Sequence, residues 1–340
     1  MTAWPLVAET VTADDIRAAF ADAAASLGSL PSDASPLRRW SALAALAERD
    51  LDLARLTEAH LDATTILAEL GGAEFAGAEL GGAASGGAAS ASGQRWAVWA
   101  AEPPDGEVLA RPGVGGRWVL HGLKRWCSGA HLCSHALITA HAPDGRRLFA
   151  VDVRQAGVRP RVGGWAGLGM ARSGTESVEL DQAVATAVGE PMAYLDRPGF
   201  WHGAIGVAAC WYGGTVGLVG PLWESDRLDS HGLAHLGAVD TALAGARTLL
   251  VGAAAEIAAA VADEPIDTAR RRALRVRAAV EAAAATAMDR VGRALGPGPL
   301  ATDAAHSQRL ADLTVYVRQS HAERDLAELG RLTRRADAAL

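Results

Sequence analysis

Apolar residues recur at three- and four-residue intervals in the first third of the chain and again in the last, while the middle third breaks that rhythm. Ile16, Phe20, Ala24 and Leu27 fall on one helical face, with Thr12 and Asp15 ahead of them in a capping-box-like arrangement. After a turn region at 31–36, Leu37, Trp40 and Leu43, then Leu53, Leu56, His60, Leu67 and Leu70, keep the helical spacing until Gly71-Gly72 stops it. The pattern predicts a small unit of two or three helices. From 71 to 93 the chain is nearly all Gly, Ala and Ser with Phe75 as its one aromatic, and it repeats ELGGAEF loosely as ELGGAAS. No lysine follows these glycines and no strong strand precedes them, so the segment reads as a connecting helix plus flexible linker, not as a phosphate loop.

Between 94 and 190 the texture changes to short runs rich in Val, Trp, Leu and Ile, separated by Pro103-Pro104-Asp105-Gly106, Gly115-Gly116 and Asp144-Gly145. The runs at 136–141 and 147–153 flank Asp144-Gly145 as a hairpin would, and 177–180 reads as a further strand. This middle unit is expected to be a mainly antiparallel sheet or barrel. Beyond Tyr194 helical spacing returns over 203–222, 231–261, 267–295 and 307–335; Val280, Ala284, Ala287, Val291 and Leu295 form one stripe, and Leu310, Leu313 and Val317 begin another. Long helices with short connections predict a four-helix bundle. The fold class expected is therefore α+β multidomain: an N-terminal helical domain with linker over 1–93, a β domain over 94–190, and a C-terminal four-helix bundle over 191–340.

Charge and composition narrow the function. The 340 residues carry 32 basic and 39 acidic side chains, net −7, with no basic run longer than Arg270-Arg271-Arg272, so a general nucleic-acid binder is not expected. Cys127, Cys133 and Cys210 are odd in number and widely spread, as in a reducing cytoplasm, and the opening Met1-Thr-Ala-Trp-Pro shows no signal-peptide pattern. Residues 203–223 lack charge over a length that could cross a bilayer, but they are glycine-rich, end near Pro221 and have no basic flank, so a buried core helix is expected instead of a membrane span. The pairs His131/His135 and His231/His235 have no carboxylate motif beside them, and no Gly-x-Ser-x-Gly turn occurs; neither a metal site nor a Ser-His-Asp hydrolase is expected.

Gly-Leu-Lys-Arg-Trp-Cys-Ser-Gly-Ala at 122–130 resembles the segment of the acyl-CoA dehydrogenase family in which a Gly-x-Lys-x-Trp-Ile-Thr/Ser strand lies against the flavin. Trp-Ala-Val-Trp-Ala-Ala-Glu-Pro at 96–103 is similar to the family's strand and Thr-Glu-Pro loop, with Ala101 where the threonine normally stands. Leu-Gly-Met-Ala-Arg-Ser-Gly-Thr at 168–175 resembles its Gly-Met/Ile-Arg-x-Ser-x-Thr turn. The order helical unit, β unit, helical bundle is also the family's. The resemblance implies FAD, with Trp99, Ala101, Trp126, Cys127, Ser128, Arg172, Ser173 and Thr175 around the ring. Independently of it, an isoalloxazine needs an aromatic or apolar wall and a few fixed donors, which Trp126 and Ser128 supply by type; the same two residues would equally suit a core aromatic and a strand-end hydroxyl.

By the same resemblance, Arg227 stands near the family's pyrophosphate-binding arginine, without the Phe-Gly that usually follows, and Gly296 and Gly298 stand in a loop that approaches adenine across a dimer. The activity implied is α,β-dehydrogenation of an acyl thioester, as acyl-CoA or on an acyl-carrier protein, with an electron-transfer flavoprotein as acceptor and a homodimer or homotetramer as the assembly. The family's Tyr-Glu-Gly-Thr segment, which carries the catalytic glutamate in many members, is absent; Gln308-Arg309-Leu-Ala-Asp312 and Ser320-His321-Ala-Glu323 occupy its region. His321 and Glu323 are the candidate bases there, and both equally suit the outside of a last helix. Two further readings remain: an oxygen-using flavin monooxygenase on the same scaffold, which needs no such base, and a catalytically degenerate partner subunit.

Overall fold

The computed structural model describes residues 13–28, 35–71, 93–260 and 264–335. The expected linker at 72–92, the turn at 31–34 and the cap at Thr12 lie outside the described residues. Three helices open the chain: α1 (Ala13–Gly28), α2 (Pro36–Ala47) and α3 (Leu51–Leu70). Ser35 caps α2 ahead of Pro36, whose missing N–H costs nothing in the first turn. Asp50 caps α3, its Oδ1 accepting the Leu53 amide at 2.9 Å. The stop at 48–50 therefore divides the stripe begun by Trp40 and Leu43 into two helices.

The β unit contains β1 (Trp96–Trp99), β2 (Val108–Pro112), β3 (Trp118–Cys127), β4 (His135–Ala142), β5 (Gly145–Asp152), β6 (Val158–Arg161) and β7 (Glu176–Val188). Pairings run β4–β2–β3–β7–β5 and return to β4, closing a ring, with β1 and β6 added outside it. Most pairs are antiparallel; β4 pairs in parallel with β1 and, at Leu109, with β2. The expected hairpin is β4–β5, with Ala142 opposite Gly145 and Pro143-Asp144 as the two-residue turn.

The C-terminal part holds α4 (Pro198–Trp223), α5 (Ser230–Ala259), α6 (Ile266–Leu295), a short α7 (Gly298–Thr302), α8 (Ala304–Tyr316) and α9 (Glu323–Arg335). The architecture is the expected one: N-terminal helices, a β-barrel unit and C-terminal helices. One expectation is corrected, because the last helix is not continuous over 307–335. It ends at Tyr316, passes through a 3₁₀ turn at Val317–Gln319 and restarts at Glu323, with Ala322 in the left-handed region at φ 45°. Ser320 Oγ and Asp325 Oδ2 accept the amides of Ala322 and His321 and cap the restart.

α4 is the uncharged, glycine-rich helix, and it is a core element, 67% of its most apolar window being buried. Its glycines let α2 approach: a Cβ on Gly213 would sit 2.0 Å from the Ala44 carbonyl oxygen. α5 has the same mean hydropathy, 1.4, yet only 28% of its window is buried. The apolar helix face left uncovered therefore belongs to α5, where Leu233, Leu249 and Val251 are exposed.

α3 sits where three cores meet. Leu51, Ala54 and Leu61 belong to the helical core around Trp211, Leu56 to the barrel core around Trp99 and Phe149, and Ala63 and Ile66 to a third around Trp96 and Leu137. A helix enclosed in this way leaves little solvent face for the charged residues of its first three turns. They must pair or line a cavity.

Candidate active site

α3, the barrel, the start of α4, α6 and the chain from 315 to 331 enclose a cavity of about 1140 Å³. It is larger than a typical small-ligand pocket and could take a cofactor ring and a substrate together. Its two sides differ chemically.

The barrel side is uncharged and presents Ala101, Trp126, Ser128, Ser173 and Thr175. A register shift between Lys124 and Cys127 breaks the β3–β7 ladder, and Trp126 sits in that irregularity with φ 59°. The distortion turns the indole outward, 55% exposed, with Trp165 edge-on at 6.1 Å. Its neighbours face inward. Lys124 Nζ donates to the Thr139 carbonyl and hydroxyl at 2.8 Å each, and burial lowers its pKa to about 8. Cys127 is fully buried, which pushes its thiol up and leaves it unreactive.

A chain of hydroxyls runs under this wall. Ser173 Oγ donates to the Met170 carbonyl at 2.7 Å and lies 2.8 Å from Thr175 Oγ1, which donates to Ser128 Oγ at 3.0 Å. In that arrangement the Ser128 hydroxyl proton is left for an acceptor in the cavity. Trp99 Nε1 donates to the Ser128 carbonyl at 2.9 Å and fixes the residue from behind. The 170–175 loop is anchored by α3 and α8. Arg172 pairs with Asp50 at 2.9 Å and Asp52 at 3.1 Å, Asp52 Oδ1 accepts the Ser173 amide at 2.7 Å, and Asp312 Oδ1 accepts the Met170 amide at 2.6 Å. Burial, then the nearby Asp312 charge, raise Asp52 to about 7.

The helical side is charged. Arg55 Nη1 pairs with Glu58 Oε2 at 2.8 Å, and Asp62 follows one turn later. Burial raises Glu58 to about 7 against the opposing Arg55, and Asp62 to about 6 against Arg197. Arg277 crosses the cavity floor, donating to the Ala204 carbonyl at 3.0 Å and the Gln319 carbonyl at 3.3 Å, with its guanidinium 4.5 Å above the Trp211 ring. Tyr316 is buried with the Cys210 thiol and Glu58 among its polar neighbours.

Of the residues singled out in the sequence, Ala101, Trp126, Ser128, Ser173, Thr175 and His321 line the cavity. Trp99, Cys127 and Arg172 stand behind the wall as supports. His321 is at the rim, 59% exposed, its Nδ1 3.4 Å from Asp325. Glu323 is exposed on the outer side of α9 and does not line the cavity. Arg227 is exposed in the turn between α4 and α5, Gly296 caps α6 at φ 67°, and Gly298 starts α7; none of the three reaches this cavity. Sequence reasoning missed Glu58, Asp62, Arg277 and Tyr316. The available signal was two acids four apart, with Arg55 three before the first, in a helix otherwise apolar on several faces.

No protein-family model and no curated protein matches the sequence. Solved structures do. Butyryl-CoA dehydrogenase from Megasphaera elsdenii superposes with a TM-score of 0.77 at 14% identity, covering 94% of this chain and 89% of that one. KijD3, in complex with FMN and dTDP-3-amino-2,3,6-trideoxy-4-keto-3-methyl-D-glucose, gives 0.76 at 18%, covering 97% and 89%. Dibenzothiophene monooxygenase (TdsC) from Paenibacillus sp. A11-2 gives 0.73 at 18%, covering 94% and 88%. At such identities the likeness establishes the scaffold: this chain has the acyl-CoA dehydrogenase fold.

Proposed function

We propose that this chain is a flavin-dependent oxidoreductase. The observation that carries the reading is Trp126, held outward by a left-handed backbone beside the Ser173–Thr175–Ser128 hydroxyl chain. A non-glycine residue at positive φ is strained, and strain kept at a cavity wall points to use of the side chain placed there. The residues fit an isoalloxazine: an indole wall, a free hydroxyl donor, the small Ala101, and enclosed space on the opposite side. When bound, a flavin supplies two-electron acceptance from a C–H bond or, once reduced, electrons to oxygen. Trp126 would orient the ring, Ser128 would donate to its edge, and the apolar barrel side would exclude water.

Within that class, the finer reading is FAD as cofactor and α,β-dehydrogenation of an acyl thioester, carried on CoA or an acyl-carrier protein, with an electron-transfer flavoprotein as acceptor. It is supported by the motif order in the barrel and by the likeness to butyryl-CoA dehydrogenase. A second reading, an FMN- or FAD-dependent monooxygenase, is favoured by the replacement of the family's glutamate segment by Ser320-His321-Ala-Glu323 and by the likeness to TdsC, one of whose structures holds FMN and indole. A cytoplasmic home agrees with three buried free cysteines. Assembly as a homodimer or homotetramer would cover the exposed α5 face, and would be the setting in which Arg227, Gly296 and Gly298 could meet a neighbour's cofactor.

The test is the visible spectrum of the purified protein, with the acid-released cofactor identified by chromatography. Near one flavin per chain is expected, and the species released separates FAD from FMN. Bleaching by acyl thioesters without oxygen would support the dehydrogenase, and oxygen consumption with substrate hydroxylation the monooxygenase. A colourless protein that takes up neither FAD nor FMN would overturn the proposal and point to the degenerate subunit.

A further inference from the structure

A second cavity of about 200 Å³ adjoins the first along α3. Glu58, Asp62 and Gly203 line both cavities. Along α3, Glu58, Asp62, Thr65 and Glu69 follow one another at helical spacing, and all four line the smaller cavity. The acids become steadily more accessible along that file: 7% for the Glu58 side chain, 19% for Asp62 and 42% for Glu69. The facing helix is shaped to admit them. A Cβ on Gly203 would sit 2.8 Å from Asp62 Oδ1, and one on Gly199 would sit 2.6 Å from Glu69 Oε2. A buried carboxyl followed one turn on by a more accessible one that faces a glycine has the geometry of a proton path.

We propose that Glu58 is the group that exchanges protons with reactants in the large cavity, and that Asp62, which lines both cavities, passes those protons outward through the smaller one. This rests on the flavin reading above and assigns the proton-handling residue of that site. In the oxidative direction, a Glu58 carboxylate oxygen would take the proton that leaves the reactant, and a flavin, when bound, would supply the two-electron acceptance that balances it. The Glu58 proton then moves to the Asp62 carboxylate and outward, so one proton is released and both acids are restored. In the oxygen reaction the same path runs inward, delivering a proton to reduced dioxygen. Glu58 and Asp62, one helical turn apart, are spaced for transfer directly or through one water.

The surroundings allow each acid to change charge. Glu58 is faced by Arg55 and Asp62 on α3, Arg277 on α6, Cys210 on α4, Tyr194 and Tyr316. Asp62 is faced by Arg55, Arg39, Arg197 and Glu69. The arginines offset the charge when the proton leaves, and burial favours the protonated form when it stays, which holds Glu58 and Asp62 close to neutral pH.

The experiment has one readout that needs no flavin and one that needs no substrate. Infrared difference titration of the purified chain carrying Asp52→Asn, which removes the other buried carboxyl raised to about 7, should show a buried carboxyl C=O band that disappears with a midpoint near pH 7, and Glu58→Gln should abolish it. Asp62→Asn should keep the band and move its midpoint. In the flavin-loaded protein, photoreduced and then mixed with dioxygen, hydrogen peroxide release should slow about 100-fold in Glu58→Gln. Asp62→Asn and Gly203→Ala should slow it to a lesser degree. A Glu58→Gln protein that keeps the band, or that reoxidises at the wild-type rate and pH profile, would overturn the path. Failure to bind flavin would instead sink the functional reading, and the carboxyl titration would still decide whether Glu58 exchanges protons near neutrality.

Discussion

The barrel side of the cavity offers Trp126, Ser128, Ser173 and Thr175, all uncharged and all within two short stretches of chain. The helical side offers Arg55, Glu58, Asp62, Arg277 and Tyr316, charged or polar groups contributed by three helices far apart in sequence. On the barrel side, position comes from local backbone geometry: a register shift, a positive φ and a hydroxyl chain joined through neighbouring residues. On the helical side, position comes from packing, since α3 is set among three cores and Glu58 and Asp62 face the cavities. A wall made locally can lose one side chain and keep its shape. A wall made by packing depends on contacts far from the site.

That contrast predicts its largest effect well away from the cavity. Gly213→Ala would place a Cβ 2.0 Å from the Ala44 carbonyl, force α4 off α2 and loosen the whole helical side. Thermal or urea melting should show a loss of about 3 kcal/mol. The barrel side should respond oppositely to Trp126→Gly, which removes the indole but relaxes a strained φ of 59°. Flavin absorbance should be lost while the melting temperature stays level or rises; flavin retention would remove Trp126 from the wall.

Asp312→Ala tests where the two sides are tied together. It strands the buried Met170 amide, now bonded at 2.6 Å, and should cost about 2 kcal/mol with a weakening of flavin affinity. An unchanged melting curve would mean that the 170–175 loop is held by Asp50 and Asp52 alone.

The smallest effect is in pH. Asp52, Glu58 and Asp62 have folded pKa values raised to about 7, 7 and 6, so the stability they contribute is fully present below their unfolded values of about 4 and is lost as pH rises through 6 to 7. His60, at the junction with β1, has the opposite sign. Burial lowers it to about 4, and its contribution is present above about 6.5 and lost as pH falls through 4. Urea melts across pH 4 to 8 should therefore show a shallower decline toward neutrality in Glu58→Gln than in the wild type. Identical slopes would mean that Glu58 is ionised throughout.

Much of the fold was legible because its signals are local. Periodicity located the helices, Asp144-Gly145 located the β4–β5 hairpin, and the glycines and Pro221 marked residues 203–223 as a core helix; Gly213 against Ala44 supplies the physical reason. The break at 317–322 was harder, because the apolar spacing continues across it, although Ser320 followed by Glu323 is a helix-start pattern. In the site, the barrel residues could be proposed from contiguous motifs, while His321 and Glu323, two residues apart, ended at the rim and on the outer surface.

What the sequence determined by itself was the order of elements, the uncharged wall and the absence of a strongly basic face, since each depends on residues near one another in the chain or on composition alone. What only the tertiary structure decided was that Glu58 and Asp62 lie between two cavities, that α5 and not α4 carries the uncovered apolar face, and that Arg227, Gly296 and Gly298 stand away from the site. Helical spacing tells which residues share a face. It does not tell what that face will meet, and the protonation of a carboxyl depends on the distant groups that remove its water and balance its charge.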